Sequence, residues 1–114
     1  MNNYLILVRG TYPGFSKLDE AGQGAIYQKW GTYMEKLTAS GNWTGGAPLE
    51  HSGRLFCEER QAKEGLVGDH DVSVEGYMML QAESYDAAIK LCDDCPSLEI
   101  GGKLEIREVI NCEG

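Results

Sequence analysis

The sequence is short of basic residues. Ten Lys and Arg stand against eighteen Asp and Glu, for a formal net charge of −8. Nucleic-acid binding without sequence preference rests on neutralising phosphates, so that class is excluded. Attraction to an anionic membrane surface is excluded on the same ground. No apolar run approaches the roughly 20 residues that cross a bilayer. The opening residues Met1-Asn2-Asn3-Tyr4 lack the basic stretch and cleavage site of a secretory signal, so the expected location is the cytoplasm. Histidine is scarce, with only His51 and His70. Zinc motifs, phosphate-cradling glycine loops and nucleophile elbows are missing, so neither a metal nor a cofactor is expected. No internal repeat, low-complexity tract or linker interrupts the chain.

What is present fits one domain over residues 1–114. At 42% hydrophobic and 25% charged, the chain is too apolar for a disordered segment. Its length suffices to bury a core without disulfide or metal staples. The four cysteines are Cys57, Cys92, Cys95 and Cys112. Cys92-Asp93-Asp94-Cys95 has the spacing of a redox pair, but such pairs sit at a helix N-terminus, where the dipole lowers the thiol pKa. This pair falls at the end of an expected helix with two carboxylates between the sulfurs, which raises it. A four-cysteine zinc site would need Cys57 and Cys112 to converge on the pair, and one CxxC without a second is a weak signal for it. The cysteines therefore read as small buried hydrophobes in a reducing compartment.

Hydrophobic periodicity gives the order of elements. Tyr4 to Arg9 reads as a central strand, ended by Gly10, and Gly10 to Ser16 as a loop. Lys17 to Ser40 reads as a helix with Ile26, Trp30, Tyr33, Met34 and Leu37 on one stripe, stopped by Gly41 in the left-handed conformation. Asn42 to Pro48 reads as a short strand or extended arm broken at Gly45-Gly46. Arg54 to Cys57 reads as a strand, Glu58 to Val67 as a hairpin tip or mobile loop, and Gly76 to Ala82 as a second well-defined strand. Ser84 caps a helix that places Ala88, Leu91, Cys92 and Cys95 on one face and ends at Pro96. Lys103 to Ile110 is the last strand. Strand, helix, two strands, helix, strand implies an α+β, ferredoxin-like βαββαβ plan, an antiparallel sheet with both helices on one face. Leu5, Leu7 and Arg9 fall on one side of the first strand, and Glu105 and Arg107 on one side of the last. An apolar sheet face left bare by the helices is expected to be covered by the same face of a second copy, making a homodimer.

The fragments Tyr4-Leu5-Ile6-Leu7-Val8-Arg9-Gly10, Lys29-Trp30, Gly41, Gly45-Gly46-Ala47-Pro48-Leu49, Glu75-Gly76-Tyr77-Met78-Met79-Leu80, Ser84-Tyr85-Asp86-Ala87-Ala88, Cys95-Pro96, Gly101-Gly102 and Glu105-Ile106-Arg107 resemble, in their order and spacing, the YCII-related proteins. The resemblance is to the branch named for an Asp-Gly-Pro-Phe (DGPF) motif, and it runs over nearly the whole chain. It implies a dimeric α+β barrel of ferredoxin-like protomers with a cleft between helix and sheet near the dimer interface. The chain departs from the family twice. Where the signature belongs it reads Val67-Gly68-Asp69-His70-Asp71-Val72-Ser73-Val74-Glu75, with Asp69 standing for the motif's aspartate and no Gly-Pro-Phe. Where the wider family carries a histidine on the first helix, this chain has Trp30.

Two sets of candidate functional residues follow. Asp69 and His70, with Asp71, could do general acid–base work or offer metal ligands, or form a solvated acidic turn, which is the reading favoured. Arg9 and Arg107, on neighbouring strands, could clamp a carboxylate or phenolate, with Trp30 walling the pocket; alternatively Arg107 pairs with Glu105 or Glu108. The sequence thus supports a homodimeric small-molecule-binding or regulatory module for a small acidic or aromatic ligand. The alternative is an isomerase-, lyase- or oxygenase-like enzyme acting on a small aromatic or carboxylate metabolite.

Overall fold

Alternation along the first strand decides which side of the sheet becomes core. In a computed structural model that describes residues 1–50, 52–56, 58, 60, 62–64 and 73–111, β1 (Asn2–Arg9) buries Tyr4, Ile6 and Val8 and leaves Leu5, Leu7 and Arg9 half-buried. Its partners repeat the pattern. Antiparallel to β1 on one side runs β5 (Val74–Ala82), with Tyr4 opposite Leu80 and Ile6 opposite Met78. On the other side runs β6 (Lys103–Glu108), with Ile6 opposite Ile106 and Val8 opposite Leu104. β2 (Trp43–Pro48) completes the sheet beyond β5, giving the antiparallel order β2-β5-β1-β6. That order is compatible with the split βαβ plan read from the sequence.

Both long-sequence helices pack on the Tyr4–Ile6–Met78–Leu80 face. α2 (Glu20–Ala39) contributes Tyr33 and Leu37 to the core cluster, and α3 (Tyr85–Leu91) contributes Ala88. The start of α2 is fixed by Asp19, whose carboxylate accepts from the Gly22 N–H at 2.7 Å; its end comes just before Gly41, at φ +81°. Ser84 caps α3 by accepting from Ala87 N–H. Tyr4 and Tyr85 meet edge to face at 5.0 Å between ring centroids, tying α3 to β1.

Four details differ from the periodicity reading. The segment read as a loop contains a short helix, α1 (Tyr12–Ser16), with Pro in its first turn, where a missing N–H costs nothing. The following helix starts at Glu20 rather than Lys17. β2 is not broken at its paired glycines; the irregularity is a register shift between Trp43 and Gly45. Finally, α3 ends at Leu91, and Cys95 instead precedes a short 3-10 helix, Pro96–Ile100. A small separate sheet forms where β3 (Arg54–Phe56) pairs antiparallel with β4 (Ala62–Glu64), which comes from the polar stretch that follows. No helix among the described residues is long and apolar enough to cross a membrane.

Candidate functional site: a cleft between α2 and the sheet

Beyond the packed core, α2 and the sheet diverge around a cavity of about 400 Å³, within the size range of small-molecule sites. Local sequence explains the opening. The sheet floor has glycine at Gly46 and Gly76, opposite Met78 and Val8 respectively, so no side chain rises there. A Cβ on Gly46 would lie 2.7 Å from the Trp43 ring, so this glycine also lets the indole lie across the floor. Trp30 and Met34 on α2 form the wall facing it. At the far end, Phe15 on α1 meets Tyr27 on α2 edge to face at 5.5 Å. α1 is held there by the Gln23 side chain, which donates to the Phe15 and Leu18 carbonyls. It also needs Gly14, whose absent Cβ would sit 2.0 Å from the Ile100 carbonyl oxygen.

One carboxylate enters this apolar space. β5 bulges where Gly76 pairs with Val8 but Val74 pairs with Arg9, leaving Glu75 as an extra residue. Strand alternation fails at that point: Glu75 and Gly76 are adjacent and both buried. A bulge re-aims a side chain, and Glu75, 7% exposed, lines the cavity on the helix side. The buried Ser73 hydroxyl donates to its Oε1 at 2.6 Å. Among the described lining residues there is no Lys or Arg.

The residues singled out from sequence are distributed differently. Trp30 is half-buried, packs against the core cluster, meets Tyr33 edge to face at 5.6 Å, and walls the cleft. Arg9 and Arg107 do share one sheet face, as read, but it is the helix-free one. Both flank Glu105: Arg9 Nε lies 2.8 Å from Oε1 and Arg107 Nη1 lies 3.6 Å from Oε2. The structure therefore does not bring the two arginines to the cleft that holds Trp30. Asp69, His70 and Asp71 lie outside the described residues, as do His51, Cys57 and Cys112. Glu75, Trp43 and Phe15 are cleft residues that the sequence reading missed. For Glu75 there was no local signal, because period-two alternation from Gly76 puts it beside Tyr77 on the helix-free face.

The CxxC pair is buried behind α2. Cys92 and Cys95 are both free thiols. Burial, with Cys95 and Asp93 nearby, pushes the Cys92 thiol up to about 12. Burial also raises Cys95, although hydrogen bonds from Ser97 act the other way. Thiols of this kind are poor nucleophiles, in keeping with the reading of these residues as core. Tyr33 sits against them, its hydroxyl donating to the Leu91 carbonyl at 2.8 Å and raised chiefly by burial, then by Cys92.

A second, shallower depression runs between α2 and the 3-10 helix. Lys29–Glu99 and Lys36–Asp94 ion pairs, each at 2.7 Å, span it. Both pairs are more than half exposed, so each contributes little to stability. Comparison of the chain with protein-family models gives no match, and comparison with curated proteins gives none.

Proposed function

We propose that this chain is a YCII-like, ferredoxin-like homodimer that binds a small aromatic molecule in the cleft between α2 and the sheet. The observation that carries the reading is the cleft itself: an apolar cavity of about 400 Å³ with a glycine floor, aromatic walls and one buried carboxylate. A protein interior is normally close-packed, and a cavity of this size with a convergent polar group is the usual form of a ligand site. The strand order β2-β5-β1-β6 supports the YCII-like plan.

The second copy belongs on the opposite face. Leu5, Leu7 and Met79 form a half-buried stripe there, with Tyr77 37% exposed beside them. A twofold axis sets such a stripe against itself, and Arg9, Glu105 and Arg107 form its polar rim. One sheet thus presents a ligand face and a self-association face.

Glu75 also favours a second reading, a small-molecule enzyme using it as a general base within an apolar site. In that case turnover of an aromatic substrate would vanish in Glu75→Gln while binding persisted.

The test of the cleft uses Gly31, which lines its mouth on an exposed stretch of α2 with open space where a Cβ would go. Gly31→Phe improves helix propensity and obstructs the cavity. Saturation-transfer NMR with a set of single-ring aromatic fragments should detect binding to the wild type. The signal should be lost in Gly31→Phe, with the melting temperature retained. Equal binding to both proteins would place the ligand elsewhere and overturn the reading.

A further inference from the structure

The cleft's size and wall chemistry narrow the ligand class. An apolar cavity of about 150 Å³ is enough to hold benzene. The cleft, at about 400 Å³, is more than twice as large. A single ring therefore leaves much of it unfilled, and unfilled apolar space forfeits dispersion contacts. Phe15, Tyr27, Trp30 and Trp43 stand around it with the Met34 thioether, groups that pack well against the faces and edges of flat rings. Three of its apolar lining side chains are also exposed: Tyr27 at 64%, Leu49 at 44% and Met34 at 38%. An occupant reaching all three would remove that surface from water. Glu75, the carboxylate in the described lining, is already engaged, with the buried Ser73 hydroxyl among its partners.

From these observations we infer that the cleft selects an uncharged ligand with at least two fused aromatic rings, laid between Trp30 and Met34 of α2 and Trp43 on the sheet. This inference rests on the cleft being the ligand site, and it replaces the acidic ligand expected from Arg9 and Arg107. Those arginines face the other side of the sheet and are engaged with Glu105. An anion entering the cleft would lose its hydration beside a buried carboxylate of the same sign. An ammonium would lose its hydration too, and would have to compete with the partners that Glu75 already has. Ring area, rather than charge, is what these walls reward.

Four probes separate ring count from charge: benzyl alcohol, 2-naphthalenemethanol, 2-naphthoate and 2-naphthylmethylamine. Isothermal titration calorimetry on the wild type should give 2-naphthalenemethanol an affinity about tenfold above that of benzyl alcohol. It should also bind about tenfold or more tightly than either charged naphthalene. The Gly31→Phe protein, whose cleft is obstructed, should lose 2-naphthalenemethanol. Benzyl alcohol binding as tightly as the two-ring alcohol would overturn the fused-ring assignment while leaving the cleft in place. A charged naphthalene matching or exceeding the alcohol would overturn the uncharged assignment in the same way. If no probe bound, or if all bound Gly31→Phe as they bind the wild type, the cleft reading itself would fall, and this inference with it. The wild-type comparison decides ring count and charge even if Gly31→Phe does not fold.

Discussion

Side chains on the same strand have opposite fates here, and one residue shows why. Glu75 is polar and follows a turn-rich stretch, so alternation assigns it to solvent. An inserted residue in β5 turns it inward beside Gly76 and Ser73. Nothing in the local sequence announces a bulge, because its cause is a pairing mismatch with β1, a strand more than sixty positions away along the chain. Trp30, by contrast, was legible: its place in the Ile26–Leu37 stripe fixed its side of α2, and the structure puts it at the edge of that stripe, between core and cleft. The cysteines were legible for a chemical reason, since two carboxylates and a helix C-terminus oppose ionisation.

That chemistry has a measurable consequence. In the folded chain the Cys92 thiol is raised well above an ordinary thiol, chiefly by burial, and Tyr33 is raised as well. A raised acid pKa means that folding favours the protonated form. The associated stability is fully present below the unfolded thiol pKa and is lost as pH climbs toward the folded value. The urea midpoint should therefore fall between about pH 8 and about pH 11. In Cys92→Ala, measured over the same range, the fall should be shallower. A wild-type midpoint flat across that range would contradict the burial of these groups.

At the scale of elements, the long helix and the strands β1, β5 and β6 could be read from periodicity, while the short pieces could not. α1 has five residues, too few for a 3.6-residue repeat to declare itself, and its Pro-Gly content reads as a loop. Its helical state depends on contacts distant in sequence. Gly14 approaches the Ile100 carbonyl, and Gln23 bonds the carbonyls at its C-terminal end. The same limit applies to β2, where Gly45-Gly46 signals a break but hydrogen bonding to β5 carries the strand through. Both misread pieces border the cleft, whose shape depends on backbone approaches that only glycine permits. Gly14→Ala places a methyl group 2.0 Å from backbone oxygen, so α1 must move. A loss of about 2 kcal/mol or more in denaturant titration is expected, together with weaker binding of cleft ligands as Phe15 shifts. A change within about 0.5 kcal/mol, the scale of a surface substitution, would show that α1 is not docked there.

For the whole molecule, the sheet is the organising feature. The Cα atoms span only 18 Å along the shortest axis, the depth of a sheet with a helical layer on one side. The layer that covers Tyr4, Ile6, Met78 and Leu80 comes from the chain itself. Leu5, Leu7 and Met79 have no such layer from the described helices, and in the proposed dimer a second copy supplies one. The two occupants do not compete, because the cleft opens on the helix side and the apolar stripe on the other. This independence of the two faces is the central proposal, and the solution mass of the wild type, measured by light scattering with and without a saturating single-ring aromatic fragment, tests it most directly. Twice the chain mass of 12.5 kDa in both conditions is the predicted result. A mass of 12.5 kDa without ligand, or a dimer that comes apart when the cleft fills, would contradict it.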